Sequence, residues 1–366
     1  MKAVTVTPAE QRVELGDHEP PELTRPDDVL IRVLEVGVCG TDREICAFDY
    51  GTPPEGSDYL VLGHECLGEV VEVGSDVSRV QVGDLVVPMV RRPCPHQDCV
   101  PCHEQRQDFC VTGDYVERGI KGAHGFMTEL VVDPERYLNV VPPQLRAIAV
   151  LTEPLTIAEK ALAQVCDVQD RLPWGDGPHR AVVLGAGPVG LLGTMALVNA
   201  GYDTTVYSLL PKPNDGAAIA ESLGCEYVSS QEVSPAELAE RIGNIDLVYE
   251  GAGASGIAFE LMAELGPNGI FAFTGMPGDE ETRPVDTDLL MRNLVLGNQL
   301  VLGTVNAGRE HFEAAIRDLG AFDERWPDSV HDLITGRYTV ADYRTLLFDE
   351  AGGIKNVLEV ADGAAA

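Results

Sequence analysis

The chain has 366 residues, with 59 acidic against 26 basic side chains and a formal net charge of −33. That length exceeds one ordinary core and suits two domains, while 45% hydrophobic residues and the lack of any long charge block spread the acid over a globular surface. Such a surface repels phosphate backbones and excludes nucleic acid as an expected partner; with only five lysines it resembles surfaces adapted to molar salt, where the Debye length falls to about 3 Å.

Met1 leads directly into the strand-like MKAVTV. No basic stretch followed by an apolar run precedes it, and no apolar run approaches the ~20 residues of a membrane span, so a cytoplasmic protein with no membrane partner is expected. From Met1 to about residue 155 the chain reads as short β-rich runs (DDVLIRVLEVGV, LGEVVEVGS, GDLVVPMV) separated by Gly, Pro and Asp. From 156 to 305 strand and helix patterns alternate, from TIAEKALAQV through RAVVLGAG, PVGLLGTMALVNAG and TTVYSLL to IDLVYEGAG and GIFAFTG. That alternation predicts parallel βαβ units, an α/β doubly wound sheet. Residues 306–366, with helical HFEAAIRDLG and strand-like IKNVLEV, return to the style of the first domain and are expected to complete it; the terminal alanines read as a tail without function.

Within the alternating part, the apolar run RAVVL leads into Gly185, Ala186, Gly187, Pro188, Val189 and Gly190 and then into a helical run. A six-residue glycine pattern alone is a weak signal; between strand and helix it is a strong dinucleotide fingerprint. Gly185 permits the turn, Gly187 lets backbone N–H groups approach a pyrophosphate and Gly190 permits close helix–strand packing. About 20 residues on, where an Asp or Glu would accept from a ribose 2′-hydroxyl, the chain offers Ser208, with Lys212 nearby to meet a 2′-phosphate. NADP is therefore expected over NAD, with NAD possible.

Nine cysteines occur. Cys94, Cys99, Cys102 and Cys110 are spaced C-x4-C-x2-C-x7-C, the pattern of a closed structural zinc site, with His96 and His103 as spacers. Reduced cytosolic thiols make disulfides the weaker reading. Cys39 in GVCGTD, His64 and Glu65 in GHE, and Glu153 in LTEPL offer the mixed N, S and O donors of a catalytic zinc. Dispersed as they are, composition and spacing leave that site open beside ordinary core packing.

The order GVCGTD, GHECLGEVVEVG, GDLVV, the four-cysteine loop and GAGPVG resembles the zinc-containing medium-chain alcohol dehydrogenase family across essentially the whole chain. Within it, RRP, QDFCVTGDYVERGIKGAHGFMTE, LTEPLTIAEKAL and LGTVNAGREHFEAA look like the archaeal, especially halophilic, glucose dehydrogenases. The resemblance implies a GroES-like catalytic domain beside a Rossmann domain, two zinc ions per chain, and a homo-oligomer, dimer or tetramer. It places Cys39, His64 and Glu153 on the catalytic zinc with Glu65 as an exchanging ligand. Thr41 and Glu153 would lie by the reacting hydroxyl, and Glu117 and Asn306 would contact the sugar. Two departures stand out: two extra residues between the first and second loop cysteines, and no histidine in VLGNQLVLG before Asn306. The implied reaction oxidises the C1 hydroxyl of glucose to the lactone with hydride transfer to NADP or NAD. Another aldose, a polyol such as sorbitol, or threonine is the alternative substrate, and a non-catalytic NADPH-binding protein the remote one.

Overall fold

The computed structural model describes residues 1–173, 179–278, 282–348 and 351–360; the terminal alanines lie outside them. The chain divides into two compact units, one of Met1–Glu153, Asn306–Gly320 and Ile334–Ala366, the other of Pro154–Val305 and Ala321–Leu333. Residues 321–333 thus belong with the second unit, where the sequence division at 306 placed them in the first. The helix Arg309–Arg325 is continuous through residue 320, so its pattern carries no sign of the change.

The first unit is built on the strand Asp28–Val38, whose alternation points Val29, Ile31 and Val33 into the core at 0% exposure. It pairs antiparallel with Glu65–Val73, Leu130–Pro134 and Lys355–Glu359 in a seven-stranded sheet. The late strand Lys355–Glu359 pairs on its other side, in parallel, with Ile334–Thr339. The register sets Gly37 opposite Glu65 and Val38 opposite Asn356, which brings three distant stretches of sequence to one end of the sheet. A second sheet joins Arg12–Asp17, Lys2–Thr7 and Leu60–Val61.

In the second unit six parallel strands run in the order Glu226–Ser229, Asp203–Ser208, Arg180–Leu184, Leu247–Glu250, Ile270–Phe273, Leu300–Gly303. The order reverses at Arg180–Leu184, the topological switch point of a doubly wound sheet, where ligands bind beyond the carboxyl ends of the strands. Val182, Leu184, Val248 and Phe271 fill its core. The helix Pro188–Asn199 starts at this point, with Gly187 at its N-cap and Pro188 in its first turn. Its residues from Gly190 to Leu197 are all buried, so the pattern is apolar all round and not amphipathic.

Candidate active site and metal centres

Cys39 follows the strand Asp28–Val38 and N-caps the short helix Gly40–Cys46. His64 lies just before Glu65, the first residue of the neighbouring strand. The sheet register therefore brings Cys39 Sγ to 3.2 Å from His64 Nε2, and potential ligand atoms of Cys39, His64 and Glu65 all lie within 4.8 Å of one another. His64 and Glu65 are buried and Cys39 is half-buried.

Two side chains that the sequence reading passed over organise this cluster. Asp42, wholly buried, accepts the Cys39 N–H at 3.0 Å and holds its other oxygen 3.5 Å from His64 Nδ1. A carboxylate behind an imidazole orients the ring and leaves Nε2 to face a metal. Lys355, also buried, ion-pairs with the Glu65 carboxylate and donates to Val38 O at 3.2 Å. Gly37 makes room for that pair: a Cβ there would overlap the Glu65 carboxylate and lie 2.9 Å from Lys355 Cε. In the sequence Asp42 is only an acid three residues after an N-cap and Lys355 only one of five lysines; neither position marks what its side chain meets.

Burial disfavours charge on His64, yet the neighbouring Cys39 and Asp42 hold its pKa well above the ordinary value. The same negative potential suits a cation. Burial likewise opposes charge on Lys355, and Glu65 and Cys39 outweigh it, raising its pKa. Glu153, second residue of the helix Thr152–Gln169, stands outside the group of three but within electrostatic reach of it. Burial pushes its pKa up to about 7, against the field of His64 and with that of Glu65. Thr41, half-buried, occupies the first turn of the helix that Cys39 caps. Thiolate, imidazole and carboxylate on a dry wall with a supporting carboxylate make a donor set that fits zinc.

The sulfurs of Cys94, Cys99, Cys102 and Cys110 also gather within 4.8 Å of one another. Cys99 Sγ and Cys110 Sγ are 3.9 Å apart, far from the ~2.05 Å of a disulfide and close to the ~3.8 Å edge of a tetrahedron with Zn–S bonds of about 2.3 Å. Backbone N–H groups of Val111 and Cys102 lower the Cys99 pKa. Burial opposes the same change at Cys110, but the Thr112 hydroxyl and the N–H groups of Thr112 and Gly113 bring it to about 6. Burial pushes the Cys102 thiol the other way, up to about 12, so it is the four gathered sulfurs, more than their acidity, that fit a closed zinc site. His96 and His103 are exposed and pair with Asp114 and Glu104.

Glu117 and Asn306, 189 residues apart in sequence, meet in the first unit, where Asn306 Nδ2 donates to Glu117 Oε1 at 2.9 Å. Arg91 binds the same oxygen through Nε and a terminal nitrogen, each at 3.0 Å. Glu117 and Arg91 are both buried, and Arg91, in the RRP motif, was not singled out in the sequence.

In the second unit the glycine loop makes the turn and the close helix–strand packing expected of Gly185 and Gly190. Gly185 has φ +111°, and a Cβ on Gly190 would overlap the carbonyl of Gly185. One on Gly187 would meet nothing within 4 Å, which leaves the backbone around Ala186, Gly187, Pro188 and Val189 approachable. Ser208 ends the second strand of the unit, and Lys212 is exposed and ion-paired with Glu221 at 2.7 Å. Among the described residues no helix is long and apolar enough to cross a membrane.

A switch-point glycine loop in one unit, with a Cys/His/Glu cluster and a four-cysteine loop in the other, defines a medium-chain dehydrogenase. Residues 25–143 match the alcohol dehydrogenase GroES-like domain, and residues 146–360 match the glucose dehydrogenase C-terminus. Glucose 1-dehydrogenase of Methanocella arvoryzae is 39% identical, covering 98% of this chain and 99% of the relative; that of Halobacterium salinarum is 38% identical over the same shares. The structure of Haloferax mediterranei glucose dehydrogenase in complex with NADP, Zn and gluconolactone superposes with a TM-score of 0.88 at 34% identity, covering 99% of this chain and 100% of that one. The chain belongs to the glucose dehydrogenase family, in agreement with the resemblance carried by its motifs.

Proposed function

We propose that the protein is a zinc-dependent glucose 1-dehydrogenase that oxidises the C1 hydroxyl of D-glucose to the lactone and prefers NADP to NAD. The observation that carries this reading is the meeting of half-buried Cys39 Sγ with His64 Nε2 at 3.2 Å beside the buried Glu65 carboxylate. The relatives named glucose 1-dehydrogenase, and the Haloferax mediterranei protein with NADP, Zn and gluconolactone, supply the chemistry that this cluster suits.

In this reading Cys39, His64 and Glu153 or Glu65 hold the catalytic zinc, and the four loop cysteines hold the structural one. When bound, the metal supplies Lewis acidity toward the C1 hydroxyl and the nicotinamide supplies the hydride acceptor. Asp42 keeps His64 in the tautomer with its proton on Nδ1. Lys355 balances the charge of Glu65. Thr41 takes the hydroxyl proton at its Oγ1 and passes it onward. Glu117 Oε1 is engaged by Arg91 and Asn306, so Glu117 Oε2 and the Asn306 amide orient the sugar hydroxyls. Ser208 in place of a carboxylate removes repulsion toward a 2′-phosphate, and Lys212 can exchange Glu221 for that phosphate.

A homo-oligomer, dimer or tetramer, acting on a sugar in the cytoplasm completes the proposal. Its support is the helix Thr287–Leu296, which buries none of its residues and exposes Met291 by 64% and Leu296 by 77%. A helix with so exposed an apolar outer face on so acidic a chain calls for a partner.

The test is NADP and NAD reduction with glucose, galactose, xylose and sorbitol in high salt, before and after chelation, with zinc counted per chain. Glucose is expected to give the highest kcat/KM with NADP, with loss on chelation and return on adding zinc. Full activity with only one zinc per chain, accounted for by the cysteine loop, refutes the scheme.

A further inference from the structure

Glu250 ends the strand Leu247–Glu250 and is 1% exposed. No lysine or arginine pairs with it among the described ion pairs. Its carboxylate is instead met by backbone: Oε1 accepts the N–H groups of Ala252 at 2.9 Å and Gly253 at 2.7 Å, and Oε2 accepts that of Gly275 at 3.1 Å, which Gly275 shares with the Glu250 carbonyl at 3.2 Å. The Glu250 carbonyl takes a further N–H and the hydroxyl from Thr274, at 2.9 and 2.7 Å. One residue thus joins the loop after its own strand to the loop after Ile270–Phe273, the adjacent parallel strand.

These two loops continue the floor begun by the glycine loop. Gly251 donates to Leu184 O at 3.1 Å, and a Cβ on Gly185 would come within 2.9 Å of Ala252 Cβ. Gly253, at φ +67°, is packed on Met276 so closely that a Cβ would overlap its carbonyl. A Cβ on Gly275 would lie 2.8 Å from both Glu250 Oε2 and Gly253 Cα. Three loops at the carboxyl ends of three neighbouring strands are therefore in contact. That edge is where a doubly wound sheet receives its dinucleotide.

We infer that Glu250 is a positioning residue for the nicotinamide cofactor, setting the spacing of the 251–253 and 274–276 loops from beneath without touching the cofactor itself. The inference rests on the dinucleotide-binding reading proposed above. A carboxylate suits the task because three converging N–H donors in a buried place need acceptors, and an ionised group offers them without a competing donor. It also turns the N–H groups of Ala252, Gly253 and Gly275 inward. Recognition of the cofactor phosphates then falls to the N–H groups of the glycine loop and the helix Pro188–Asn199.

The test uses Glu250→Gln, whose amide NH2 must face an N–H, and Gly275→Ala, which parts the same loops with the carboxylate intact. Zinc-loaded variants are titrated with NADPH by nicotinamide fluorescence, and KM for NADP and kcat at saturating NADP are measured alongside. The Kd and KM should rise about tenfold in each variant that folds, with zinc content unchanged and kcat within about threefold. A variant whose melting temperature falls while its NADPH Kd stays within twofold of the parent shows a merely structural role and overturns the inference. If Glu250→Gln does not fold, Gly275→Ala decides alone by the same criterion. Should the parent protein itself not bind NADPH, the functional proposal fails first, which separates the two.

Discussion

Single side chains carry charge logic that their sequence neighbours do not display. Asp42 behind His64 is one case: replacing it by Asn keeps the shape but removes the negative partner of Nδ1, and a lost outer carboxylate lowers metal affinity by about 10–100-fold. Competition of the Asp42→Asn variant against a zinc chelator should show such a loss at one of two sites. His124 is another. Its Nδ1 accepts the Val61 N–H at 3.1 Å, its ring stacks on Tyr59, and burial, then His18 and Arg118, lower its pKa to about 4. The folded state then binds fewer protons than the unfolded chain between the ordinary value of 6.5 and about 4. Stability contributed by neutral His124 is complete above that window and is lost as pH falls through it. Gln in its place can still accept from Val61, so the melting temperature of His124→Gln should fall less steeply than the parent's between those pH values; parallel curves would refute this role. Of the groups in the metal cluster, Cys39, His64 and Glu65 could be named from motifs. Asp42 and Lys355 could not, because their importance lies in which atoms face them across the sheet.

At the level of elements, the four-cysteine loop and the glycine loop were legible because each is local: their geometry is closed by residues within 17 and six positions, respectively. The cysteine loop contains little regular structure beyond the four-residue helix Val100–His103 and the turn Gln107–Phe109, so on the proposed reading its order depends on the zinc its sulfurs would hold. Cys102→Ser should lower the melting temperature by about 5–10 °C while the second zinc and the NADPH affinity stay near parental values. Equal melting temperatures would show that the loop is held by packing alone. Sheet pairing was much less legible. The alternation in DDVLIRVLEVGV identifies a strand, but its pairing with Lys355–Glu359, more than 300 residues on, is set by tertiary packing, and that register is what delivers Lys355 to Glu65. The helix Arg309–Arg325 shows the same limit, since no change of periodicity marks where the chain passes from one unit to the other.

For the whole molecule, the charge of −33 sets the conditions under which everything else operates. Self-repulsion weakens as the Debye length falls from about 10 Å at 0.1 M salt to about 3 Å at 1 M. The melting temperature should therefore rise from 0.1 to 2 M KCl, and a flat or falling curve would remove the salt-adapted reading of the composition. The amino-acid sequence by itself determined the class of fold, the dinucleotide loop and the four-sulfur loop, because periodicity and short-range spacing are properties of consecutive residues. Only the tertiary structure decided that Asp42 stands behind His64, that Lys355 pairs with Glu65 over a glycine, that Arg91 and Asn306 share one oxygen of Glu117, and that Glu250 joins two loops. Each of those is a contact made through strand register or chain return, where the energy of burying a charged group beside its partner selects residues that no local pattern marks.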